Sequence, residues 1–290
     1  VPITQVDTQL LTSSALTIPN GIVASGGTRF EANIIALWEF KTGQGNTAYD
    51  TSGIEPALNL TLSGNDVSWV SGWGIDIKNG RAQGSTSASK KLYNLIQATG
   101  EYSIEAWIVP ANVTQNGPAR IISYSGSTAA RNFTLGQSVY DYNFFNRSSL
   151  TSGNGEPGLN TKAADQVVQA SEQHIVATFD GINGRRLYVN GELVADNDAA
   201  PGGALTDWND TYTFILGNEV SGNRQWQGKL RMVAIHNRAL TAEQITQNFN
   251  AGVGEKYFLL FGISSLVDLP QAYLMFEVTL FDNYSYLFKN

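Results

Sequence analysis

The chain has 290 residues, 42% hydrophobic and 15% charged, with a net charge of −7 and a pI near 4.9. That acidity provides no basic patch to meet phosphates and argues against a nucleic-acid partner. The absence of cysteine excludes disulfides, zinc–thiolate sites and cysteine nucleophiles. The length suits one large all-β domain or two ordinary ones. Abundant Gly (29), Tyr (12), Phe (13) and Trp (6) fits many short strands joined by tight turns.

Val1 to Phe30 is polar and Ser/Thr-rich, with apolar patches at Leu10-Leu11 and Ile18 and a break at Ser25, and reads as an extended arm or edge strand. Ile34 to Phe40 reads as a buried strand running into a polar turn, Lys41 to Gly53. Val67 to Ile77 carries two Trp and two Gly, and Tyr102 to Val109 alternates before Pro110 ends it. Ile121-Ile122 and Phe133 to Leu135 are short strand cores. Tyr140, Tyr142 and Phe144 are expected on one buried strand face, and Ser149 to Gly158 is a loop. His174 to Phe179 and Arg186 to Val189 flank a hairpin turn, Asp180 to Gly184, and Asn190-Gly191 forms a second.

Phe214 to Gly252 reads as a strand, a polar loop, a Trp-Gln-Gly turn, a second strand and one short helix. Thr241 occupies the N-cap position, Gln244 follows at the capping-box spacing, and Glu243 sits in the first turn. Ile245 and Phe249 share a face, and Gly252 marks the stop. Regular strands, Gly-rich turns and this isolated helix point to an antiparallel sandwich. Beyond Gly254 the apolar density rises. Ala272, Leu274, Phe276, Val278 and Leu280 lie on one face, and Tyr273, Met275 and Phe281 add apolar surface to the other. This tail reads as a hairpin packing on the sandwich or opening another module.

The longest apolar run, Tyr257 to Ile263, is too short to span a bilayer. The opening at Val1, with no basic or apolar leader, reads as a mature or internal segment. Six Asn-x-Ser/Thr sequons (Asn59, Asn112, Asn132, Asn146, Asn209 and Asn283) occur at near-chance frequency.

Three stretches together resemble the LamG-like jelly roll of the concanavalin A-like lectin/glucanase superfamily. They are Leu37 to Gly53 (LWEFKTGQGNTAYDTSG), then Tyr102 to Asn112 (YSIEAWIVPAN) with His174 to Val194 (HIVATFDGINGRRLYVNGELV), and then WQGKLRMVAIHNRALTAEQI from Trp226. The resemblance covers roughly Glu31 to Gly252. It implies an all-β, two-sheet antiparallel jelly-roll sandwich, with one short C-terminal helix and a β-rich C-terminal extension. The implied division is an arm at 1–30, the sandwich at 31–254 and an extension at 255–290. Such domains are usually exported, to the extracellular space, cell surface or periplasm. Most bind glycans or proteins, and many hold calcium.

The family's usual Asp on the last core strand falls at Arg231, which puts that calcium in doubt. An arginine sharing a face with Val233 and Ile235 needs a carboxylate, so Arg231 is expected to replace the metal, paired with Asp50 or Glu39. Loop oxygens at Asp50, Asp196 to Asp198 and Asp207 to Asp210 remain calcium candidates.

Related sandwiches include glycoside hydrolases and polysaccharide lyases, and the hydrolases need two carboxylates about the scissile bond. Glu105 has no acidic partner two positions away, and Asp196 and Asp198 lie in a loop. His174 and His236, the chain's two histidines, could support a triad or a metal but read as structural, and no nucleophile-elbow or zincin motif occurs. The expectation is a non-catalytic module that recognises a glycan or a protein partner. The alternative is a structural subunit assembling through 255–290. For a glycan, Trp208 between Asp207 and Asn209 and Trp73 between two glycines are candidate stacking platforms. The packed core is the competing position for each, and for Trp226.

Overall fold

The computed structural model describes residues 15–18, 22–25, 29–71, 73–195, 197–253, 273–278 and 284–289, with side chains for 29–253 apart from 72, 163 and 196. Leu10-Leu11, Asp196, Tyr257 to Ile263, Ala272, Leu280 and Phe281 lie outside the described residues. The chain divides into two compact units, Glu31–Ile245 and a second formed by Val1–Phe30 with Thr246–Asn290.

In the second unit, β1 (Ala15–Ile18) pairs antiparallel with β2 (Ile22–Ser25). The larger unit begins with β3 (Ile34–Trp38), β4 (Thr47–Ala48), β5 (Leu60–Trp69) and β6 (Ile75–Gln83), then α1 (Thr86–Gln97). It continues through β7 (Tyr102–Pro110), β8 (Ala119–Ser127), β9 (Ala130–Ser138), β10 (Asp141–Asn146) and β11 (Leu159–Asn160). Next come β12 (Gln173–Asp180), β13 (Gly184–Val189), β14 (Glu192–Leu193), β15 (Thr213–Leu216) and β16 (Gly228–His236). After β16 stands α2 (Ala242–Ala251), and the tail contributes β17 (Tyr273–Val278) paired antiparallel with β18 (Tyr284–Lys289).

All-β character is evident throughout, with every strand pair antiparallel. One sheet runs β11-β10-β9-β8-β15, the other β16-β7-β12-β13-β14 with β3 on β16. The long strand β6 joins them: Ile75 and Ile77 pair with β16, whereas Ala82 and Gln83 pair with β15. Its bend lies at Gly80, opposite Gly64 on β5. Gly80 has φ +155°, and a Cβ there would meet the Ser63 carbonyl oxygen at 2.3 Å, so only glycine fits.

The inward faces of the two sheets meet in one core. Trp38 on β3 stacks on Phe214 of β15 at 4.8 Å, and Tyr102 on β7 lies 5.3 Å from Phe133 of β9. Two buried indoles of this core are satisfied: the Trp38 N–H donates to the Leu58 carbonyl, and that of Trp226 donates to Gln137 Oε1, both at 2.9 Å. Tyr142 and Phe144 are buried as expected, but Tyr140 is 37% exposed because β10 begins one residue after it.

The predicted helix is α2, and its capping box is formed: Thr241 N–H donates to Gln244 Oε1, and Gln244 N–H to Thr241 Oγ1. Gly252 takes φ +71° and donates to the Asn248 carbonyl. A second helix, α1, corrects the expectation of a single one. Ser85 caps it by accepting from Ala88 N–H, while Leu92 and Ile96, four apart, face the core. The hairpin turns also form as read, with Asn190 and Gly191 both at positive φ.

Candidate functional site

Four connections converge at one end of the larger unit and enclose a pocket of about 900 Å³. They are the α1–β7 link (Gln97 to Glu101), the β12–β13 turn, the Gly203 to Thr206 loop and the β16–α2 link (Ala239 to Ala242). Arg186 and Tyr188 of β13 also line it. This volume suits a drug-sized or oligosaccharide-sized ligand.

Both carboxylates in the pocket are engaged by the protein. Glu101 accepts from Arg238 Nη1 at 2.7 Å and from Ala239 N–H at 3.1 Å, tying the start of β7 to the link before α2. Asp180 Oδ1 accepts from the backbone N–H groups of Ile182 and Asn183, which closes the hairpin turn. At its tip Ile182 is 92% exposed. Burial, the main cause, pushes the Tyr188 hydroxyl above its ordinary pKa of 10.0; Arg186 opposes the shift and Glu243 adds to it.

The two histidines meet on one carboxylate. His174 Nε2 lies 2.8 Å from Glu105 Oε1 and His236 Nε2 lies 3.1 Å from Oε2, all three residues fully buried. Glu105 is on β7, between β12 and β16, and pairing offsets each histidine by two residues towards opposite ends. The alternation of β7 places Glu105 on the face opposite Ile104 and Ala106, away from the shared core. Trp107 packs against His174, with ring centroids 4.8 Å apart and the planes tilted by 31°. This constellation holds three strands in register.

Three aspartates expected to bind calcium, Asp50, Asp198 and Asp210, instead meet cations of the chain itself. Asp50 Oδ1 accepts from Leu37 and Ser52 N–H, and Oδ2 accepts from Leu58 N–H and from Lys91 Nζ. Lys91 reaches in from α1, also donates to the Ile54 carbonyl, and shares with Asp50 a side-chain exposure of 1%. Asp198 is paired with buried Arg185, and Asp210 with Lys90. Calcium takes six to eight oxygen ligands, and Asp50, with two donors on each oxygen, does not fit one. Among the described residues, no group of three or more His, Asp or Glu is placed to hold a metal ion.

Arg231 departs from its expected place. A shift in the β16–β7 register between Leu230 and Met232 makes it the extra residue of a bulge. It therefore does not share the core face of Val233 and Ile235. Its Nη1 donates to the Ser71 and Trp73 carbonyls, and its Nε lies 3.8 Å from Glu172, so neither Asp50 nor Glu39 is its partner. Glu39 pairs with Lys41. The internal cation at Asp50 is Lys91.

Trp208 is 5% exposed, packs on Tyr102, Tyr124 and Phe133, and donates its indole N–H to the Arg147 carbonyl. That burial corrects its reading as a stacking platform. Asn209 braces the same loop by exchanging hydrogen bonds with Asn132, and Asp207 is exposed. Trp73 is half-buried at φ +62°, with Lys41 Nζ 4.7 Å above its ring. None of these residues lines the pocket.

A laminin G family model, described as the concanavalin A-like lectin/glucanases superfamily, matches residues 80–246. The chain belongs to the concanavalin A-like lectin/glucanase superfamily. No curated protein matches it. Solved structures similar to this superfamily member include the binding domain of botulinum neurotoxin DC in complex with rat synaptotagmin II (TM-score 0.57, 17% identity, 76% of this chain and 52% of that one). The same toxin's binding domain in complex with SialylT matches at TM-score 0.54 and 16% identity, with the same coverage. A Trypanosoma rangeli sialidase in complex with the inhibitor DANA matches at 0.57 and 15%, over 84% of this chain and 36% of that one. The chain thus spans about half of the toxin binding domains, and at these identities what is shared is the fold.

Proposed function

We propose that the larger unit of this lectin/glucanase-superfamily chain is a non-catalytic recognition module of an exported protein that binds a glycan in the pocket. The observation carrying this reading is a pocket of ligand size whose two carboxylates are already bound by the protein. A glycosidase needs one carboxyl free to give a proton and a second free to attack or to activate water, whereas Glu101 holds Arg238 and Asp180 holds its own turn. The toxin neighbours, named as binding domains, support recognition over hydrolysis; the sialidase neighbour makes hydrolysis the outcome to test against. The proposed limits of the module are residues 31–254.

The test is a glycan array followed by calorimetry on the hits, with reducing-end assays after prolonged incubation. Binding without cleavage is expected, and the pocket variant Tyr188→Ala should lose it. Cleavage of a bound glycan would overturn the non-catalytic reading, and no binding to any glycan would overturn the glycan reading.

A protein-partner or scaffold reading has one observation in its favour: among the described residues, β17 and β18 pair only with each other. Sheet edges without a pairing partner accept strands from other chains. A concentration-dependent oligomer that disappears when 255–290 is deleted would favour assembly.

A further inference from the structure

We infer that the pocket selects an acidic sugar, engaging its carboxylate with Arg186 and Tyr188. This rests on the glycan-binding reading above and adds the ligand's chemical class.

The inference comes from which hydrogen-bonding groups of the pocket remain open. Glu101 and Asp180 are occupied as described. Thr241 Oγ1 accepts from Gln244 N–H, and Gln97 Nε2 donates to the Leu205 carbonyl. Thr99 Oγ1 donates within its own turn. The Arg186 side chain, by contrast, forms no hydrogen bond among the described residues. Its nearest carboxylate oxygen is Asp180 Oδ2 at 3.9 Å, and its side chain is 38% exposed. The Tyr188 hydroxyl has no hydrogen-bond partner among the described residues, and its residue lines the pocket at 6% exposure. Arg186 and Tyr188 are thus the cation and the phenol that the pocket offers as donors, and they call for acceptors on the ligand.

Geometry narrows the acceptor. Arg186 and Tyr188 are two apart on β13, opposite Thr178 and Val176, so they project from the same face. A planar guanidinium fork beside a phenolic O–H matches the two oxygens of one carboxylate, and charge-assisted bonds of that kind are roughly twice as strong as neutral ones. The Tyr188 hydroxyl is protonated, and so a donor, at neutral pH. A neutral sugar hydroxyl would occupy only one N–H of the fork. Asp180 and Glu243 set an opposing field, but Asp180 is bonded to the backbone of its turn, and directed bonds at contact outweigh screened charges beyond it.

Calorimetry with the full chain would compare glucuronate-terminated and N-acetylneuraminate-terminated oligosaccharides with their neutral counterparts, using sodium sulfate at matched ionic strength as the control. One acidic ligand should bind at least about tenfold more tightly than its neutral partner. Arg186→Gln should erase that preference, Tyr188→Phe should reduce it, and circular dichroism should show both variants folded. Equal affinity for acidic and neutral ligands would overturn this inference and leave the glycan reading standing. An acidic preference matched by sulfate, or retained in Arg186→Gln, would also overturn it. Binding of neither class would overturn both.

Discussion

Burial alone would raise the Asp50 carboxyl, yet Lys91 and the N–H groups of Leu58 and Ser52 together hold it below the ordinary 3.8. A carboxylate whose folded value is depressed contributes stability that is complete above its unfolded value and lost as pH falls through the folded one. Asp50→Asn should therefore cost about 3–5 kcal/mol at pH 7, because it leaves a buried ammonium without its partner. The deficit should shrink at acidic pH, once the wild-type carboxylate is protonated. Urea unfolding at pH 7 and pH 3 reads this directly, and an unchanged deficit would contradict the assignment. Trp208 gives a second contrast at this scale. Trp208→Ala should cost about 3–5 kcal/mol as a core truncation, whereas a tryptophan serving only as a sugar platform would change affinity and leave the melting temperature alone.

Among the elements, those specified by neighbouring residues were legible in the sequence. Thr241 and Gln244 announced α2, and Asn190-Gly191 its hairpin, since each motif closes its own hydrogen bonds. Thr241→Ala should accordingly cost about 1 kcal/mol in thermal unfolding. Helix α1 was missed although Ser85, Leu92 and Ile96 offered a cap and an apolar repeat. Two lysines interrupt that repeat, and only the distant Asp50 explains why Lys91 is buried. The bulge that displaces Arg231 is set by pairing between β16 and β7 and has no local signature, so an unbroken alternation put Arg231 on the wrong face. The Glu105 histidines and the pocket were hidden for the same reason. Three strands and four loops contribute to them from positions far apart along the chain. At β6, Gly80→Ala should cost about 1–3 kcal/mol, because the left-handed bend and the Ser63 carbonyl leave no room for a Cβ.

For the whole molecule, the pairing of Asp50, Asp198 and Asp210 with Lys91, Arg185 and Lys90 predicts indifference to divalent cations. Melting curves in EDTA and in millimolar calcium are expected to superimpose; a calcium-induced rise would reveal a site that these ion pairs do not account for. A shared fold of this kind hosts many functions, so the ligand has to be argued from the site and not from the sandwich.

Strand β6 has a mechanical consequence. Because its first half belongs to one sheet and its second half to the other, the sheets are linked by covalent backbone as well as by packed side chains. Load applied to either sheet is carried through the Gly80 bend to its opposite number, like two doors hung on a single hinge pin. The sandwich should therefore yield to force as one body, and cutting the chain at that bend should let the two sheets give way separately.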